Sequence, residues 1–192
     1  MTEVADRFVV VLDANVLYPF RVRDVLLRFA EAGLFRARWS HQILEEWTSN
    51  LLAVKPHLQS SIRLQREAMA RAFPEAMIEG HEALIPALTL PDDDDRHVLA
   101  AAIRVGAHHI VTENLRDFPS EALEPYGIEA VSADAFVSAT YELYPTQATA
   151  ALRKMRLSYK RPPMSANDLI VDLMRVRLPL TAAIARREIE LL

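Results

Sequence analysis

The chain has 192 residues, 51% of them hydrophobic and 25% charged, with only 4 Gly and 11 Pro. That composition suits one main globular unit with room for a small appendage, and it excludes collagen-like and low-complexity readings. There is no Cys, which excludes a disulfide framework, a thiolate zinc site, an iron–sulfur cluster and a cysteine nucleophile together; any metal must be held by oxygen or imidazole. The net charge of −4 is unevenly divided, because residues 1–150 carry −9 and residues 151–192 carry +5: an acidic body with a basic tail.

No apolar stretch approaches the roughly 20 residues a bilayer requires, and residues 1–6 hold two acids and no basic segment of the kind that opens a secretory leader. A cytoplasmic protein with no membrane partner is expected. FVVVLD at residues 8–13 is a β-branched run ending in a carboxylate, and residues 22–34 then show helical spacing through Val22, Val25, Leu26, Phe29 and Ala30, stopped by Gly33. LFRARW at 34–39 alternates apolar and basic residues like a strand, Ser40 is placed to cap a helix over 42–54, and Pro56 ends it. Residues 58–73 have the spacing of an amphipathic helix closed by Pro74, whereas 75–90, with Gly80 and Pro86, yields no clear element. Four aspartates at 92–95 precede HVLAAAIRVG, a helix ended by Gly106. HHIVT at 108–112 and IEAV at 128–131 predict two more strands, separated by a loop with Asp117 and Pro119, a short helix to Tyr126 and a turn at Gly127. Beyond Pro145 no strand signal remains, and residues 146–160, 165–178 and 179–192 predict three helices.

Strands alternating with helices imply an α/β fold, here a three-layer α/β/α domain with a parallel sheet of four or five strands. Ligands of such sheets bind outside the carboxyl ends of the strands. The expected division is an α/β domain at residues 1–144 and a helical C-terminal extension at 145–192.

Several carboxylates fall at those strand ends or on helix faces turned inward. Around the helix that follows the Asp run, Val98, Leu99, Ala102 and Ile103 define an apolar face, and Asp95 projects near its middle while Asp94 and Asp93 point progressively outward. The same position also suits an N-cap. On the helix with Ile43, Leu44, Trp47 and Leu51 inward, Glu46 lies at the flank and Glu45 nearer solvent. Asp13 emerges at the carboxyl edge of the first strand, where it could equally cap a loop beside Asn15; Asn114 and Asp117 follow the HIVT strand, where an Asx-turn is the plain alternative. Together these place three or four carboxylates at one sheet edge, tolerable only with cations present, and all-oxygen ligation selects Mg²⁺ or Mn²⁺.

LDANVL with Asp13, ILEEW with Glu46, DDDDRHVLAAAI with Asp95, IVTENLRDFP with Thr112, Asn114 and Asp117, and PYGIEAV at the last strand resemble the PIN-domain nucleases. Among these the match is to the VapC-like toxins of bacterial toxin–antitoxin pairs, in motif order over roughly residues 7–140. The resemblance implies an endoribonuclease in which Asp13, Glu46, Asp95 and Asp117 hold one or two Mg²⁺ or Mn²⁺ ions that activate water for attack on an RNA phosphodiester, leaving 5′-phosphate and 3′-hydroxyl ends. Many members have Asp where Asn114 stands, so either Asp117 or Asn114 supplies the fourth ligand. Asn15, Thr112 and Asn114 take supporting or substrate-orienting places. The implied partners are RNA, a small DNA-binding antitoxin and a second copy of the chain. The tail after Pro145 resembles an extension of some of these toxins.

Leu169, Leu173, Val176 and Leu180 form a stripe in that tail, suited to a homodimer contact or to packing on its own domain. Arg153, Lys154, Arg156, Lys160 and Arg161 are placed to meet RNA phosphates or an acidic antitoxin segment, or to form a solvated helix face. The six His show no zinc-type pair, and His97 projects opposite Asp95, which predicts surface or packing roles. Two other functions are weighed. One is a non-catalytic interaction module with a vestigial acidic site; the other is an aspartyl-phosphate phosphatase, which would need a second Asp where Asn15 stands.

Overall fold

A computed structural model describes residues 8–192; the leader-like region sought at residues 1–6 lies outside them. The apolar run forms β1 (Val9–Leu12), followed by α1 (Ala14–Leu17), α2 (Phe20–Glu31), β2 (Arg36–Ser40), α3 (His41–Val54) and α4 (Gln59–Ala72). Ser40 caps α3 as expected, its hydroxyl accepting from Ile43 N at 3.2 Å. The first helical region starts earlier than its apolar spacing suggested, as α1 and then α2, and Gly33 follows it at a positive φ of 73°.

The stretch 75–90, which no periodicity resolves, contains β3 (Met77–Ile78) and a 3₁₀ helix at Glu82–Ala87. Beyond it come α5 (Arg96–Arg104), β4 (His109–Val111), α6 (Ser120–Leu123), β5 (Glu129–Val131), α7 (Ala133–Leu143), α8 (Pro145–Ser158), α9 (Ala166–Arg175) and α10 (Pro179–Arg187). Of these, α7 carries no sequence expectation; Ser132 caps it through Ala135 N.

All strand pairs are parallel, in the order β3-β2-β1-β4-β5. The fold is thus the α/β/α class expected, with five strands and helices at the C-terminal end. Because β1 is central, Val10, Val11 and Leu12 are fully buried, which explains why they form a continuous apolar run rather than an alternating one. Among the described residues no helix is long and apolar enough to cross a membrane.

The described residues divide into two compact units. The first, residues 8–18 and Phe35–Val131, contains the whole sheet with α1 and α3–α6; Trp39 meets Phe73 edge-on at 5.7 Å in its core. The second, Pro19–Leu34 and Ser132–Leu192, is helical. In it α7 packs on α10 and α2 on α8, Phe29 meets Tyr141 edge-on at 6.2 Å, and Leu152, Met155, Leu169 and Leu173 are fully buried. Asp134 on α7 caps α10, accepting from Leu180 N, Thr181 N and the Thr181 hydroxyl at 2.8–2.9 Å. The boundary expected at 144/145 falls inside this second unit, because α2 and α7 pack with the C-terminal helices.

Candidate active site

The strand order reverses between β1 and β4, so connections leave these neighbours in opposite directions and a crevice opens beyond their carboxyl ends. A pocket of about 320 Å³ is lined there by Asp13 and Asn15 after β1, Glu46 from α3, Asp95 before α5 and Asn114 after β4. These five residues come from four separate stretches of sequence, all within the first unit.

Asp13 is the most enclosed of the acids, only 3% exposed. Its Oδ1 accepts from Ala14 N at 2.6 Å, and its Oδ2 accepts from Asn15 Nδ2 at 2.6 Å and from the Thr112 hydroxyl at 2.7 Å. A carboxylate has about four lone-pair positions, so three donors fix its orientation and leave one, on Oδ1, open. Burial pushes its pKa above the ordinary carboxylate range; the Thr112 and Ala14 hydrogen bonds oppose that rise and the nearby Glu46 charge adds to it. Asp13 therefore both caps α1, as a loop acid would, and faces the pocket.

Asn15 ties the frame together. Its Nδ2 reaches Thr112 Oγ1 at 2.9 Å as well as Asp13, while its Oδ1 accepts from Glu113 N at 3.0 Å. Thr112 Oγ1 in turn accepts from Asn114 N at 3.0 Å. The end of β1 and the loop after β4 are thereby clamped to each other.

Asp95 is half-buried, whereas Asp92, Asp93 and Asp94 are exposed, in line with the helical phase. It occupies the N-cap position of α5, yet its side chain makes no capping hydrogen bond; Asp92 caps the preceding turn through Asp94 N at 2.9 Å. Burial and the neighbouring charges of Asp13, Asp117 and Asp92 push the Asp95 pKa up to about 6. Glu46 is half-buried at the flank of α3 and Glu45 is exposed.

Of the two candidates for a fourth ligand, Asn114 lines the pocket, while the half-buried Asp117 does not line it but stands near enough to Asp95 to raise its pKa. Tyr18 and Asn50 also line the pocket, and the sequence reading missed them. Asn50 had a usable signal, four residues after Glu46 and so one turn along the same helix face. Tyr18 had none. His97 is buried, within the packing role expected, but it does more than pack: its Nε2 lies 2.8 Å from Glu46 Oε1.

The donor set fits a hard cation, being all carboxylate and amide oxygen, with the Glu46 charge raising the Asp13 pKa and the Asp13 charge raising that of Asp95. Among the described residues no three acidic or imidazole side chains gather tightly enough to hold an ion as they stand. No Lys or Arg lines the pocket, and Asn15 occupies the position where an aspartyl-phosphate enzyme needs its second acid.

The tail cations belong to the second unit. Each nitrogen of Arg156 donates to a backbone carbonyl, Nε and Nη2 to Leu192 at 3.0 and 2.7 Å and Nη1 to Met164 at 2.8 Å. Arg156, one of the phosphate-contact candidates, is thus held by backbone acceptors of its own unit. Lys154 pairs with Glu31 at 3.3 Å, while Arg153, Lys160 and Arg161 remain exposed.

A family model described as PIN domain matches residues 9–116, and one described as VapC50 C-terminal domain matches residues 133–187. A protein titled "Putative ribonuclease VapC50" from Mycobacterium tuberculosis (strain ATCC 25618 / H37Rv) is 43% identical over 93 residues, 48% of this chain. The match spans about half, 54%, of that relative's length. No solved structure matches the chain.

Proposed function

The chain belongs to the PIN-domain family, and on that premise we propose that it is a Mg²⁺- or Mn²⁺-dependent endoribonuclease, the toxin of a cytoplasmic toxin–antitoxin pair. The observation that carries this reading is the convergence of Asp13, Glu46 and Asp95, from three separate elements, on one pocket at the switch point of the sheet. The relative's printed name calls it a ribonuclease, which supports RNA as substrate; the proposed partner, a small DNA-binding antitoxin, follows from the resemblance to VapC-like toxins.

Asp13, Glu46 and Asp95 are the proposed metal ligands, with Asn114 as a neutral oxygen in the fourth place and Asp117 as an adjacent acid that adds negative charge. A cation held by these residues would supply a lowered pKa for an attacking water and stabilisation of charge on the leaving 3′-oxygen. Asp13 offers its one open lone pair and is held in place by Ala14, Asn15 and Thr112, so Asp13 itself need not reorient to meet a cation. Asn15 and Thr112 act through Asp13 rather than on RNA. Asn114 and Asn50, with side-chain amides at the pocket, are placed to orient the phosphate or ribose. No side chain is required as nucleophile.

The test is cleavage of total RNA by the purified protein with Mn²⁺ and with EDTA, followed by mapping of the new 5′ ends. Mn²⁺-dependent cuts bearing 5′-phosphate are expected. A protein that binds no Mn²⁺ at millimolar concentration and cuts nothing is instead the interaction module, with its acids vestigial.

A further inference from the structure

His97 sits in the first turn of α5 and is 2% exposed. The five residues that follow it, Val98 to Ala102, are all apolar and buried, so an imidazole here is out of character with its surroundings. Its Nε2 stands 2.8 Å from Glu46 Oε1 on α3, a close approach of the two groups that falls outside hydrogen-bond geometry, and neither ring nitrogen has a hydrogen-bond partner. Nε2 is therefore the nitrogen that faces the carboxylate.

Glu46 has little else to hold it. Gln42 Nε2 donates to the same Oε1 at 3.2 Å, but Gln42 is exposed and one turn earlier on the same helix, where water competes for both groups. A glutamate with three rotatable bonds on a helix flank loses side-chain freedom when it is fixed, and a buried partner is what offsets that loss.

We infer that His97 is a positioning residue that aims the Glu46 carboxylate at the pocket, so that the start of α5 supplies one carboxylate directly, Asp95, and orients a second that α3 brings. The inference rests on the metal-dependent reading of the pocket. It adds to that reading a residue that touches neither cation nor RNA.

Gln and Asn substitutions separate positioning from packing, because the Gln Nε2 can stand where His Nε2 stands, while the Asn Nδ2 falls at the place of Nδ1. Mn²⁺ affinity by calorimetry, with melting temperature in EDTA, is measured for wild type, His97→Gln, His97→Asn, Glu46→Gln and the His97→Asn/Glu46→Gln pair. His97→Gln is expected to bind Mn²⁺ within a few-fold of wild type and His97→Asn about 10- to 100-fold more weakly. The double variant should bind no worse than Glu46→Gln alone. Equal Mn²⁺ affinities for the Gln and Asn variants overturn the inference while leaving the metal site standing, as do losses that simply add in the double variant. Absence of Mn²⁺ binding by the wild type overturns the metal reading itself, and the inference with it.

Discussion

Thr112, at the end of β4, donates its hydroxyl to Asp13 Oδ2 at 2.7 Å across 99 residues of sequence. Leu12 and Val111 are register partners one step inside the sheet, so the parallel pairing of two strands brings this acid and this hydroxyl together. The contact also means that Asp13 and Asp95, both bordering the pocket, differ in kind: one carboxylate is tied into a frame and the other is not.

Asparagine substitutions should expose that difference. Asp13→Asn and Asp95→Asn are both expected to lower RNA cleavage by about 10²- to 10³-fold, the effect of several kcal/mol of transition-state stabilisation. In EDTA, however, Asp95→Asn should melt at or above the wild-type temperature, because it removes a repelled charge. Asp13→Asn should lose about 1–3 kcal/mol, since an amide NH₂ would oppose the Thr112 or Asn15 donor. Glu45→Gln is the control and should cut like wild type, whereas Glu46→Gln should not. A wild-type cleavage rate in either Asp variant removes that residue from the site.

The raised Asp95 pKa gives a signed pH dependence without metal. A carboxyl whose folded pKa of about 6 lies above its ordinary value of 3.8 favours the folded state while protonated, and that stability is lost as pH rises through 6. In EDTA the melting temperature of Asp95→Asn relative to wild type should therefore climb between about pH 4 and 7. A difference that stays flat across this range argues against a repelled Asp95.

Arg156 and the exposed tail cations should part company in a salt titration. Arg156→Gln leaves the Leu192 and Met164 carbonyls without their donors and should destabilise the protein by about 1–3 kcal/mol while leaving the salt slope of RNA binding unchanged. Replacing Arg153, Lys160 and Arg161 with Gln should lower that slope by roughly 0.7 for each phosphate contact removed, with Ca²⁺ in place of Mg²⁺ to suppress cleavage. An unchanged slope in the triple variant means that these residues do not touch RNA, and a concurrent loss of antitoxin affinity would make them the regulatory surface.

Self-association has less apolar surface to work with than the stripe in the tail suggested. Leu169 and Leu173 are buried within the second unit, and it is Val171 and Met174, 53% and 51% exposed, that α9 leaves outside, with Leu180 exposed at the start of α10. Light scattering at tens of micromolar is expected to give a dimer that Val171→Glu with Met174→Glu disperses into folded monomers whose melting temperature no longer depends on protein concentration. A wild-type monomer mass at that concentration removes the dimer.

Short-range pattern carried much of this protein. The run from Val9 to Leu12, the cap at Ser40, the turn at Gly127, the inward phase of Asp95 and the flank position of Glu46 are each properties of a few neighbouring residues, so periodicity and cap chemistry suffice to read them. The two residues of β3 and the four of α1 were not read, and neither was α7, although it has eleven. What only the tertiary structure decided is which polar groups find each other. His97 and Leu99 belong to the same helix, yet only the packing of α5 near α3 reveals that one of them meets a carboxylate. The charge run at 153–161 does not tell from sequence that Arg156 folds onto carbonyls of other segments, and the stripe with Leu169 and Leu173 suits a dimer or its own domain equally until the helices of that unit are seen to cover both residues. Periodicity says which face of an element is apolar, but a hydrogen bond between elements depends on strand order and helix packing, and those follow from the whole set of buried contacts at once.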